Sequence, residues 1–125
     1  MIQRQTKLEV IDNSGVQEVL CIGIDKSKSI ARIGDRVTVV VKKIRSQSKI
    51  SIGEIKKGLV VRTTKGWVRS DGMITSYAHN AIILLKKNPM TGLYLPLGTR
   101  IQQPIAKSLR YQSYHRILAL SSKWV

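Results

Sequence analysis

Leu8 and Val10 alternate with Lys7 and Glu9, the period-two pattern of a half-buried strand. Asp12-Asn13-Ser14-Gly15 then gathers residues that tolerate positive φ or bond to nearby backbone, so a turn is expected there. A second strand is predicted from Val16 to about Ile24. Asp25-Lys26-Ser27-Lys28-Ser29 reads as a loop and Ile33-Gly34-Asp35 as a turn. Beyond it, Val37, Val39 and Val41 share one face of a strand whose other face carries Arg36, Thr38, Val40 and Lys42. After an exposed basic loop at Arg45-Ser46-Gln47-Ser48-Lys49, residues 57–64 read as a further strand.

Asp71-Gly72 signals a two-residue hairpin turn between segments 67–70 and 73–76. Residues 81–85, Ala-Ile-Ile-Leu-Leu, form a continuous apolar run of strand length. Short strands at close spacing with turn residues between them predict a mainly β fold, a small antiparallel barrel. The last third differs. Pro89, Pro96 and Pro104 punctuate it, and Gly92 and Gly98 mark turns. Ile105-Ala106-Lys107-Ser108-Leu109-Arg110 fits one or two helical turns after Pro104, and residues 117–120 fit a strand or a short helix. One domain is expected, with a barrel and hairpin over about residues 1–87 and a loop-and-short-helix extension over about 88–125.

Composition supports the strands and adds a partner. The 125 residues include no Phe and six aromatics, so the core must be built from Val, Ile and Leu. The net charge is +15, and it is uneven: all seven carboxylates lie in the first 71 residues, whereas Gly72 to Val125 carries seven Lys and Arg and no acid. Such one-sided charge opposes compaction and is normally kept for a polyanion, first of all a nucleic acid.

The lone Cys21 sits among Val19, Leu20 and Ile22 and reads as a buried structural thiol. No apolar run reaches the length of a membrane span, and the N-terminus shows neither a signal core nor an amphipathic presequence.

Catalytic chemistry is hard to assemble. His79 and His115 have no Cys, Asp or Glu at metal-ligand spacing, the carboxylates are scattered, and no phosphate-binding Gly loop occurs. No cofactor and no metal is expected.

The basic residues do cluster. Lys26, Lys28 and Arg32 occupy the first long loop, Lys42, Lys43, Arg45 and Lys49 surround the second, and Arg62, Lys65 and Arg69 flank the hairpin. These are the candidate RNA-binding residues, because loop cations bind phosphate electrostatically and add shape selectivity for folded RNA. Arg100, Lys107, Arg110, Arg116 and Lys123 spread over the end of the chain, interleaved with Tyr111, Tyr114 and Trp124, which are candidates for base stacking or for local packing.

Four stretches go further. Met1-Ile2-Gln3 with Gln5-Thr6 and Asp12-Asn13-Ser14-Gly15 open the chain, with Cys21-Ile22 after them. Val60-Val61-Arg62-Thr63-Thr64-Lys65-Gly66, Asp71-Gly72, Asn80-Ala81 and Leu84-Leu85 follow. Pro96-Leu97-Gly98-Thr99-Arg100-Ile101, Leu109-Arg110 and Ile117-Leu118-Ala119-Leu120 close it. In order and spacing this resembles the large-subunit ribosomal protein family numbered fourteen, over essentially the whole chain.

The resemblance implies a five-stranded barrel with a projecting ribbon and a C-terminal part with short helices. It implies binding to large-subunit rRNA, contact with small-subunit rRNA in intersubunit bridges, and packing beside the ribosomal protein numbered nineteen with number three nearby. It assigns Thr99, Arg100, Lys107, Arg110 and Arg116 to the surface used by the small subunit and the ribosome silencing factor. Ala78-His79 stands where the family commonly has an acidic residue and Gly, Ser108 where a Glu is typical, and Lys123 near another usual acid. That divergence points to a mitochondrial ribosome, with a bacterial cytoplasm or a chloroplast as alternatives. The competing function is a free-standing nucleic-acid-binding barrel, such as an RNA chaperone or single-strand binder. That function wants aromatics on strand faces as a stacking platform, and here five of the six lie outside the clearest strands.

Overall fold

The computed structural model describes the chain except at positions 1, 47, 69, 70, 108, 110–114, 122 and 125; at positions 67 and 115 it describes the backbone alone. Its elements are β1 (Lys7–Val10), β2 (Val16–Ile24), β3 (Arg36–Ile44), β4 (Ile55–Arg62), β5 (Trp67–Val68), β6 (Ile74–Thr75), β7 (Ala81–Lys87), β8 (Tyr94–Pro96) and α1 (His115–Leu120). A short 3-10 turn at Asp25–Ser27 lies within the predicted first loop.

Strands β1, β2, β3, β4 and β7 pair in that order, and β1 returns to β7, so five strands close a ring. The predicted barrel is present, with one correction to its antiparallel character. The closing pair is parallel, with Glu9 opposite Ala81 and Val10 opposite Ile82, whereas β1–β2, β2–β3, β3–β4 and β4–β7 are antiparallel. Register shifts in β2 near Glu18 and between Cys21 and Gly23 bend the long β2–β3 ribbon so that so few strands can close.

Alternation along β3 is as predicted: Val37, Val39 and Val41 are buried and their neighbours are not. They join Leu8, Val10, Val16, Val19, Cys21, Val60, Ile82 and Leu84 in the barrel interior. The continuous run in β7 has a different cause. Ile82 and Leu84 face that interior, while Ala81, Ile83 and Leu85 face outward into a second core with Leu59, Val61, Ile101, Ile105, Leu109, Ile117 and Leu118. A strand covered on both faces loses its alternation.

The end of the chain supplies that cover. Residues 117–120 are helical, and α1 buries Ile117 and Leu118. Ile101 bridges Ser121, Ile105 bridges Trp124, the Ala106 N–H donates to the Val61 carbonyl, and the Trp124 indole donates to the Leu118 carbonyl at 2.8 Å. After Pro104, the Leu109 N–H donates to the Ala106 carbonyl, one turn of the predicted helical segment. Strand β8 adds to β7 outside the ring.

One local prediction is corrected. The strand expected over 57–64 begins earlier, at Ile55, because Ile55 and Lys56 pair with Val40 and Val39, and it ends at Arg62, where the chain turns toward Asn80. At Asp71-Gly72 the expected hairpin is present, with Val68 paired to Ile74 across it; positions 69 and 70 of its entering segment lie outside the described residues. Asp71 Oδ1 accepts the Met73 N–H, and Gly72 takes φ of 84°, the turn chemistry read from the sequence.

Candidate nucleic-acid interface

The turn between β1 and β2 organises a surface that carries several of the candidate cations. Asp12 is buried, and its Oδ2 accepts the Leu84 N–H at 3.0 Å, tying the turn to β7. Its Oδ1 accepts the Ser14 N–H and the Ser14 hydroxyl, which closes the turn on itself. Gly15 has φ of 95°, and a Cβ there would meet Ser48 Oγ at 2.8 Å. Only glycine allows that approach. The loop after β3 therefore docks against the turn, with the Arg45 N–H on the Gly15 carbonyl at 2.8 Å. Arg45 and Lys49 leave this loop exposed.

A second loop docks on the same turn. Asn13 Nδ2 donates to Thr99 Oγ1 at 2.7 Å, its Oδ1 accepts the Thr99 and Arg100 N–H groups at 2.7 and 3.2 Å, and its own N–H donates to the Arg100 carbonyl. Thr99 and Arg100 are exposed. Beside them, the Ile101 N–H donates to the Leu120 carbonyl, so the end of α1 meets the same segment, and Arg116 lies exposed on that helix. Residues expected separately for the RNA of the protein's own subunit and for the interface thus meet around one turn.

The other end of β3 looks different. Asp25 pairs with Lys57 at 2.6 Å and with Arg36 at 3.5 Å, and Arg36 lies 4.5 Å above the Tyr94 ring. Asp35 pairs with Lys28 at 3.0 Å and accepts the Arg32 N–H. Lys28 is therefore locally neutralised, while Lys26 and the Arg32 side chain extend exposed with no ion pair among the described residues. Arg36 and Lys57 escaped the candidate set because spacing along a strand does not reveal that a loop acid will reach them.

The remaining candidates divide. Lys42 and Lys43 are exposed at the end of β3. Lys43 and Arg45 line an open groove of about 640 Å³ together with Lys7, Glu9, Glu18, His79 and Asn80. Lys65 is exposed, and its turn is fixed by Asn80, whose Oδ1 accepts the Thr64 N–H at 2.9 Å, and by the Thr63 hydroxyl on the Lys65 carbonyl. Arg62 is half-buried, bonded to the Gln103 side chain and lying 5.0 Å from the Tyr77 ring centre, so its guanidinium is engaged within the protein. Lys107 is exposed. Arg69, Arg110, Tyr111 and Tyr114 lie outside the described residues.

Among the described residues, no group of three or more His, Cys, Asp or Glu is close enough to hold a metal ion, and no helix is long and apolar enough to cross a membrane. Cys21 is buried, and desolvation pushes its thiol above the ordinary range. What this arrangement supplies is positioned, mostly unpaired cations on loops pinned to a rigid barrel, a chemistry suited to phosphate. The family model for ribosomal protein L14p/L23e matches residues 1–125, the whole chain. The chain belongs to that family and has its structural role in the large ribosomal subunit.

Proposed function

We propose that this chain binds large-subunit rRNA through the loops gathered on the Asp12-to-Gly15 turn, and reaches small-subunit rRNA through Thr99, Arg100, Lys107 and Arg116. One observation carries this. Every ion pair among the described residues uses a carboxylate of the first half, and Arg45, Lys49, Arg100, Lys107 and Arg116 have none. Unpaired cations on a fixed surface release counterions when they meet phosphate, and an Arg fork clamps phosphate oxygens or a protein carboxylate in two-point geometry. The same surface suits the neighbours that the resemblance implies, the ribosomal proteins numbered nineteen and three and the ribosome silencing factor. The divergent Ala78-His79, Ser108 and Lys123 favour a mitochondrial ribosome.

Sedimentation tests the first part: a tagged copy is expected to migrate with large subunits at moderate salt, and its absence from that fraction would refute the ribosomal placement. Repeating the gradient with lysed mitochondria tests the compartment. For the bridge, Arg100→Glu with Arg116→Glu is expected to leave incorporation largely intact and weaken subunit joining. Normal joining in that double variant would remove these residues from the interface.

A further inference from the structure

We propose that Asn13 is a positioning residue for the interface: its side-chain amide sets the backbone from which Thr99 and Arg100 project, and RNA across the interface meets that loop only as Asn13 holds it. The inference deepens the bridge reading above and rests on it. Asn13 is exposed, yet its amide makes three bonds, two accepted at Oδ1 and one donated from Nδ2, and all go to one loop 86 and 87 residues away. Both Oδ1 lone pairs take backbone N–H groups, which can only donate, and this leaves Nδ2 to meet the Thr99 hydroxyl.

Gly98 gives an independent observation. A Cβ at position 98 would sit 2.7 Å from Asn13 Oδ1 and 3.1 Å from Asp12 Cβ, so the loop lies closer to the turn than any side chain would allow. The barrel does not need this clamp, because Asp12 already ties the turn to β7 through Leu84. Backbone bonds from Asn13 N–H to the Arg100 carbonyl and from Gln102 N–H to the Ile11 carbonyl hold one side of Arg100, and the clamp adds the Thr99 and Arg100 amides on the other. A loop already ordered before RNA arrives avoids the entropy of ordering it on contact.

The test uses the full-length chain assembled into large subunits. Asn13→Ala is expected to incorporate within about twofold of the parent and to lower the affinity of subunit joining ~5–10-fold, the loss of one to two net hydrogen bonds. Gly98→Ala, which leaves Asn13 in place, is expected to weaken joining in the same direction. In an Arg100→Glu background, Asn13→Ala is expected to add less than about twofold, because the two act through one contact. Unchanged joining in Asn13→Ala, or losses that simply add, would overturn the proposal.

Amide hydrogen exchange on the free protein separates the clamp from the bridge. The Thr99 and Arg100 amides are expected to exchange faster in Asn13→Ala while the Leu84 and Val60 amides keep their rates. Equal rates at 99 and 100 would overturn the clamp whatever joining does. Should Arg100→Glu alone leave joining intact, Arg100 leaves the bridge and takes the RNA half of the proposal with it, while exchange still decides the clamp. If Asn13→Ala does not fold, Thr99→Val, which removes only the Nδ2 bond, and Gly98→Ala take its place in both measurements: faster exchange with weaker joining supports the proposal, and parental values in both overturn it.

Discussion

The two ends of β3 handle the positive charge of their loops differently. At the Arg36 end, two aspartates hold Lys28, Arg36 and Lys57 in ion pairs, and the Tyr94 ring covers the Arg36 guanidinium. At the Ile44 end, Glu18 reaches Lys7 at 3.9 Å and Asp12 is buried on backbone and Ser14, while the cations carried by the docked loops have no acid paired with them among the described residues. The same residue type does two jobs. A half-exposed carboxylate neutralises side chains and knits a surface, whereas a buried one builds the platform from which unpaired cations project. The lesson is that a net charge of +15 says little about where phosphate will be met, and the placement of seven carboxylates says much more.

The most severe way to break the contrast is to remove the platform. Asp12→Ala leaves the buried Leu84 N–H without its acceptor and opens the turn. A loss of ~3 kcal/mol is expected, read as a drop in Tm of roughly 10 °C or more. A loss below ~1 kcal/mol would mean that the turn is held by other bonds.

A smaller effect sharpens the contrast directly. In binding to large-subunit rRNA, Arg45→Ala with Lys49→Ala is expected to flatten the slope of log affinity against log salt by about 2, near 0.9 for each phosphate left without its cation. Lys57→Ala, whose ammonium already sits on Asp25, is expected to change that slope by less than about 0.5. Equal changes in the two variants would dissolve the difference between the ends.

The smallest effect concerns neither end but the wall between them. Burial favours the neutral Cys21 thiol, so the folded chain keeps a proton that the unfolded chain releases above the ordinary pKa of 9.0. Stability is therefore lost as pH rises beyond 9.0 and is unaffected below it. Urea midpoints of the parent and of Cys21→Ala over the alkaline range should show a fall that the variant lacks, no steeper than ~1.4 kcal/mol per pH unit. Parallel curves would show that the thiol is not held neutral by the barrel.

Much of the architecture was legible because local chemistry set it. The limits of β2 follow from the turn formers on each side, and Val37, Val39 and Val41 could serve only as an inward row. What escaped was decided at long range. Nothing near Leu8 or Ile82 announces that β1 and β7 run parallel, and nothing near Ile55 shows that Val40 awaits it. Residues 117–120 fit strand and helix equally by pattern, and the choice falls to the outer face of β4 and β7, which needs Ile117 and Leu118 together.

The candidate surface divided along the same line. Exposure of Arg45, Lys49 and Lys65 follows from loop composition, whereas the inward commitment of Arg62 depends on Gln103 and Tyr77. Asn13 read only as a turn former, because the residues it holds lie at the far end of the chain.

The parallel seam has a consequence for how the molecule comes into being. Strands β1 to β4 are neighbours in sequence and can zip together as they emerge, but the ring cannot shut until residue 82 is available to lie against Val10. Until then β1 and β4 both show unpaired edges, the condition in which nascent sheets adhere to one another. Closure by so distant a partner is also slow, because a long loop must be ordered before any contact rewards it. A chain stopped short of β7 would consequently be an open, self-adhesive sheet and not a smaller barrel.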